Sequence, residues 1–189
     1  DRAETLSANR FKRFWLQLPA AANIVGNRAL SQTPRGQNLH ITSLLPDGAV
    51  LRSITGDDFD PEIARKIARD EPMHARLSIT APGNPQTARF LTVLQGSDGG
   101  LTPATPQRVT SPDQAWQGAL LDGTLVLFPR ALNGSETFSL NIGGVQSLIV
   151  TGLRPHAAYT LTKNGDTLSL APGGARTTDA GGVLFIETF

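Results

Sequence analysis

Short runs of alternating apolar and polar residues dominate this chain, and a period of two is the signature of strands rather than helices. Over residues 11–18, Phe14, Leu16 and Leu18 fall on one face, with Trp15 and Gln17 on the other, before Pro19 ends the run. Residues 38–45 repeat the pattern, with Leu39, Ile41 and Ser43 opposite His40, Thr42 and Leu44. The aromatic Trp15 on the second face of the first run predicts at least partial cover on both of its sides. Trp15, set between apolar neighbours, reads as a core residue.

Turn signals separate the runs. The chain has 19 glycines and 13 prolines, which interrupt helices and suit many short strands. Pro46-Asp47-Gly48 marks one turn, and residues 75–80 and 88–95 read as a hairpin across Pro82-Gly83-Asn84-Pro85. Residues 101–112 form a proline-spaced linker of low regularity, and 124–129, 137–142 and 146–150 are further strands. Residues 159–163 and 166–170 flank Asn164-Gly165, a dipeptide favoured in type I′ hairpin turns. Gly181-Gly182 leads into a terminal strand at 183–187.

One helix is expected, over residues 61–69. Asp60 suits the cap, Pro61 the first helical position and Glu62 the positive end of the dipole, with Ile63 and Ile67 four residues apart. The expected fold is therefore all-β, an antiparallel β-sandwich with one short helix. Residues 1–131 would form the sandwich, and 132–189 either further strands of it or a small C-terminal sheet. The Gly143-Gly144 pair serves equally as a boundary or as a turn between strands.

Composition excludes several classes. With no cysteine there are no disulfides and no thiolate metal sites. No apolar run approaches the roughly 20 residues of a membrane helix, so no membrane partner is expected. A net charge of +1 argues against a dedicated nucleic-acid binder. The charge is unevenly spread, however: between Glu4 and Asp47 there is no acidic residue, whereas Arg10, Lys12, Arg13, Arg28 and Arg35 are all basic. Such a segment either attracts an anionic polymer or solvates a sandwich face. The sequence opens at Asp1 without an initiator methionine, which reads as a mature product, an excised domain or a fragment.

No catalytic signature is present, neither a nucleophile elbow, a zinc-binding helix motif nor a phosphate-cradling loop. His40, His74 and His156 are too widely spaced for a local metal site, and neither metal nor cofactor is expected. Asp57, Asp58, Asp60 and Glu62 resemble part of a calcium loop, but the glycine and distal glutamate of that loop are missing and helix capping accounts for them. Trp116 reads equally as core or as a sugar-stacking platform. Leu153, Pro155 and Tyr159 have the spacing of a tyrosine corner, where the ring packs inside and the hydroxyl bonds to backbone, making Tyr159 structural.

Four stretches, in order, resemble the later part of heparinase II/III-like proteins. Asp1-Arg2 followed by Phe11-Lys12-Arg13-Phe14-Trp15-Leu16 is similar to that family's Asp-Arg … Lys-Arg-Trp-Leu-Leu-His segment. Leu39 with Leu44-Leu45-Pro46 resembles its Arg-Leu … Leu-Leu-Pro strand. Residues 75–82 with Phe90-Leu91-Thr92-Val93-Leu94 resemble its Phe-Leu-x-Val-Leu hairpin, and Gly152 to Tyr159 with Gly181 to Phe185 its closing strands. The family includes polysaccharide lyases that join an α-helical toroid to β-sandwich domains, with the active site largely between them.

The resemblance implies the C-terminal β-sandwich portion of such a lyase, scaffolding the α-helical catalytic domain of the parent protein and contacting anionic polysaccharide in the periplasm or outside the cell. Two departures bear on this. The family's segment-ending histidine falls on Leu18, and the toroid is missing, so the chain is not expected to be catalytic alone. The resemblance also places Asp1 within the family's sandwich, as though earlier strands were lost or supplied by another chain. A free-standing carbohydrate-binding or adhesion sandwich is the alternative. The expected substrate-binding residues are Arg13, Arg35 and His40, which would share one edge or face if their strands pair.

Overall fold

A computed structural model of the chain describes residues 1–55, 75–100, 102–131 and 134–189. Every helix or strand assigned among these residues is a strand. The expected helix at 61–69, the acidic cluster and His74 lie outside the described residues. The chain separates into two compact units, Asp1–Pro103 and Ala104–Phe189.

The first unit holds β1 (Arg2–Glu4), β2 (Arg13–Leu18), β3 (Ala22–Val25), β4 (Arg28–Gln32), β5 (Asn38–Leu45), β6 (Val50–Ile54), β7 (Ala75–Thr80), β8 (Thr87–Arg89) and β9 (Leu91–Ser97). These make a three-stranded sheet in the order β2-β7-β6, a four-stranded sheet β3-β4-β5-β9 and the pair β1-β8. Leu18, Leu51, Leu77 and Ile79 from the first sheet share one buried cluster with Ala29 and Ile41 from the second. The two sheets thus form a sandwich, with Leu18 of β2 and Ile41 of β5 on its inward faces. Burying each large aliphatic side chain stabilises the unit by about 1.5–3 kcal/mol.

The expected hairpin between residues 75–80 and 88–95 does not form. β7 is flanked on both edges, by β2 and β6, so β9 crosses to the other sheet and pairs with β5. Phe90, between β8 and β9, is buried in the shared core.

The second unit holds β10 (Gln107–Thr110), β11 (Trp116–Leu121), β12 (Thr124–Pro129), β13 (Phe138–Asn141), β14 (Ser147–Val150), β15 (Ala158–Asn164), β16 (Thr167–Pro172), β17 (Arg176–Thr177) and β18 (Leu184–Ile186). They form a five-stranded sheet β10-β11-β12-β14-β18 and a four-stranded sheet β13-β16-β15-β17. Trp116, Leu125, Leu127 and Leu148 from the five-stranded sheet pack in one cluster with Phe138, Tyr159, Leu168 and Leu170 from the other.

The division expected after residue 131 falls inside this unit. β12 and β14 pair in parallel, Leu125 opposite Leu148. A parallel pair needs a crossover, and β13 supplies it in the facing sheet. The linker expected at 101–112 contains the unit boundary, but its later half is strand β10. The β15–β16 hairpin forms one residue out of the expected turn: Asn164 pairs with Thr167, which leaves Gly165 and Asp166 as the loop. Gly165 has φ +57° at the first loop position, the placement of a type II′ turn.

Candidate functional site

Arg13 opens β2 in the three-stranded sheet, whereas His40 lies on β5 in the four-stranded sheet. Their strands do not pair, so the three expected contact residues do not share one sheet. Arg35 is exposed in the turn between β4 and β5, where the Thr33 N–H donates to Gln37 O at 2.9 Å and the Gly36 N–H donates to Thr33 O at 2.9 Å. His40 is half-buried between its cross-strand neighbours Leu30 and Gln95, and its Nε2 is enclosed without a hydrogen-bond partner. Lys12 is buried too, with Nζ donating to Arg10 O at 2.8 Å. The basic segment is therefore dispersed over the unit.

Around Arg13 the chemistry is concentrated. Its guanidinium carbon lies 5.2 Å from the centroid of the Phe11 ring and 5.1 Å from that of Trp15. Its Nε donates to Thr80 Oγ1 at 2.9 Å. Phe11 is 68% exposed and Trp15 42% exposed. The core role expected for Trp15 is thus corrected: Phe14, Leu16 and Leu18 take the inward face of β2, and the indole lies outside. Two ring contacts restrict the arginine side chain, and with Nε bonded to Thr80 its two Nη groups are the pair that can meet a planar carboxylate.

Strand register extends this outer face across the sheet. Arg13 aligns with Thr80 and Val50, Trp15 with Ser78 and Arg52, and Gln17 with Arg76 and Ile54. These nine positions hold three arginines and no acidic residue. Arg76 Nε donates to Gln17 Oε1 at 3.2 Å. Arg52 is exposed on β6. Its alignment with Trp15 depends on β7 lying between them, which no local signal announces.

In the second unit Trp116 and Tyr159 are used internally, whereas Phe128, Phe185 and Phe189 are exposed. Trp116 is fully buried, its Nε1 donating to Thr137 O at 2.9 Å and its ring meeting Phe138 edge-on at 5.7 Å. That settles the choice between core and platform in favour of core. Tyr159 is fully buried, and its hydroxyl accepts the Arg154 backbone N–H at 3.2 Å. This is the side-chain-to-backbone bond expected of a tyrosine corner. Arg154 also donates through Nε and Nη2 to the carboxylate of Glu136. That hydrogen bonding holds the Glu136 carboxyl below the ordinary glutamate range, outweighing the opposing effect of burial.

Among the described residues no group of three or more histidine, aspartate or glutamate side chains is placed to hold a metal ion. The chain matches no protein-family model and no curated protein.

Proposed function

We propose that this chain is the C-terminal β-sandwich portion of a heparinase II/III-like polysaccharide lyase, which scaffolds an α-helical catalytic domain and contacts anionic polysaccharide without being catalytic alone. The observation that carries the glycan-contacting role is Arg13 held between the exposed rings of Phe11 and Trp15. A flat apolar ring covers a pyranose face, and the adjacent guanidinium takes the uronate carboxylate through two parallel hydrogen bonds.

Eliminative cleavage needs a base for the sugar C5 proton, an acid for the leaving oxygen and a group that neutralises the uronate. Arg13 suits only the last of these needs. In this reading the helical domain of the parent protein provides proton transfer, and the sandwich presents the substrate. Exposed charges are screened beyond about 8 Å at physiological ionic strength. The expected affinity therefore lies in the micromolar-to-millimolar range, about 4–8 kcal/mol.

The test is calorimetric titration of an alginate oligosaccharide into wild type and into an Arg13→Ala, Trp15→Ala double variant at low salt. Binding by wild type and its loss in the variant support the reading; no binding by wild type removes the glycan-contacting role. Release of unsaturated uronate by the pure chain would remove the non-catalytic part. The reading frame upstream of Asp1 tests the parentage. A helical domain there supports a lyase, while a start codon with a signal peptide supports a free-standing carbohydrate-binding module.

A further inference from the structure

We infer that the outer face of the β2-β7-β6 sheet is one subsite that reads two carboxylates of a uronate oligosaccharide, one at Arg13 and one at Arg52, with the indole of Trp15 supporting the sugars between them. The inference rests on the glycan-contacting reading and adds to it a second recognition residue and a minimum ligand length. Its basis is the register. Trp15 and Arg52 both align with Ser78, so they stand on the same face, two strands apart. Arg13 lies two residues before Trp15 along β2, and therefore on that face as well.

Adjacent strands lie about 4.8 Å apart and alternate residues about 6.8 Å apart along a strand, which puts the Arg13 and Arg52 backbones about 12 Å from each other. That span is wider than one sugar ring, so a monosaccharide engages one arginine at a time and a trisaccharide reaches both. Gln17 and Arg76 border the same face, their side chains joined by a hydrogen bond of 3.2 Å. The nine register positions hold no acidic residue, and Arg13 and Arg52 among them suit a polyanion. A three-stranded face with one exposed indole over the buried Ser78, on a chain of net charge +1, fits a short acidic glycan better than the extended basic track a nucleic acid backbone requires. A carboxylate is chosen over a sulfate because its planar pair of oxygens matches the guanidinium fork.

The experiment titrates galacturonate monomer, galacturonate trimer, maltotriose, a sulfated neutral trisaccharide and single-stranded oligo(dT) into the full chain at low salt. Arg13→Ala, Arg52→Ala, Arg52→Lys and Arg28→Ala variants are matched to wild type by thermal unfolding. Arg28 serves as the charge control because it lies on β4 in the other sheet.

Wild type is expected to bind the trimer about tenfold tighter than the monomer. Arg13→Ala and Arg52→Ala should each erase most of that preference, and Arg28→Ala should keep it. Arg52→Lys keeps the charge but loses the fork, so it too should lose most of the preference. If wild type binds no acidic glycan, the glycan-contacting reading itself fails. If the trimer binds and Arg13→Ala weakens it while Arg52→Ala does not, that reading stands and the two-carboxylate site is overturned. Equal losses in Arg28→Ala and Arg52→Ala, or tighter binding of the sulfated trisaccharide or oligo(dT) than of the trimer, also overturn it.

Discussion

The buried hydroxyl of Tyr159 donates to Glu136 Oε1 at 3.1 Å, closing a contact between residues 23 positions apart. The same oxygen accepts the Arg154 backbone N–H, so one phenol joins the strand β15, the loop before it and the approach to β13. Tyr159→Phe keeps the ring and removes both bonds. It should destabilise the second unit by about 1–3 kcal/mol, the cost of leaving a buried polar group unpaired. Denaturant unfolding followed by Trp116 fluorescence in a Trp15→Phe background measures this. An unchanged midpoint would show the hydroxyl to be dispensable.

The Glu136 contact also sets a pH dependence. Its carboxyl is lowered from an ordinary value of 4.5, first by the hydrogen bond from Arg154 and then by that from Tyr159, against the upward pull of burial. A folded-state value below the unfolded one means that the stabilisation is fully present above the ordinary value and is lost as pH falls through the folded value. Melting temperature of the second unit should thus decline below about pH 4.5, and Glu136→Gln should flatten the decline. Asp113 is shifted down as well, chiefly by its hydrogen bond from Ser111, so some slope should persist in the variant. A Glu136→Gln profile that parallels wild type would rule out this assignment.

Gly118 lies within β11, where an added Cβ would stand 1.8 Å from the Val126 carbonyl oxygen on the neighbouring strand. That atom belongs to the backbone and cannot yield without opening the β11–β12 pairing. Gly118→Ala should therefore cost about 3 kcal/mol, the upper part of the range for overpacking. Gly96, in β9, has nothing within 4 Å of the corresponding position, and Gly96→Ala should be close to neutral. Comparing their unfolding midpoints checks the pair.

Local pattern carried the strands and which residues share a face, because alternation is a property of neighbouring residues. Phe14, Leu16 and Leu18 could be placed on one face of β2 from sequence alone, but that this face turns inward could not, since Trp15 opposite read as core. The tyrosine corner, whose partners are five residues apart, was legible too. Pairing was another matter. The Arg13–Thr80 hydrogen bond spans 67 residues, and nothing near either residue specifies it. The unit boundary was misplaced for the same reason, since the β12–β14 pair closes across β13. Arg13 was visible as a basic strand residue in an acid-free segment. Arg52 was not visible as its companion, because their relation passes through β7 at the centre of the sheet.

The two tryptophans carry the sharpest contrast between pattern and structure, and each has a measurable consequence. Trp116 fills the core of the second unit, so Trp116→Ala should cost about 3–5 kcal/mol through the cavity it leaves, besides the bond from Nε1 to Thr137 O. Trp15 covers only the outside of its sheet, and Trp15→Ala should change stability by no more than about 0.5–1 kcal/mol while weakening glycan binding. In Trp15→Phe, the remaining indole should emit at short wavelength and resist acrylamide quenching. In Trp116→Phe, the remaining indole should emit at longer wavelength, be quenched readily and be protected by a bound uronate oligomer. Equal quenching of the two indoles would mean that Trp15 is not the exposed ring on which the proposed contact depends.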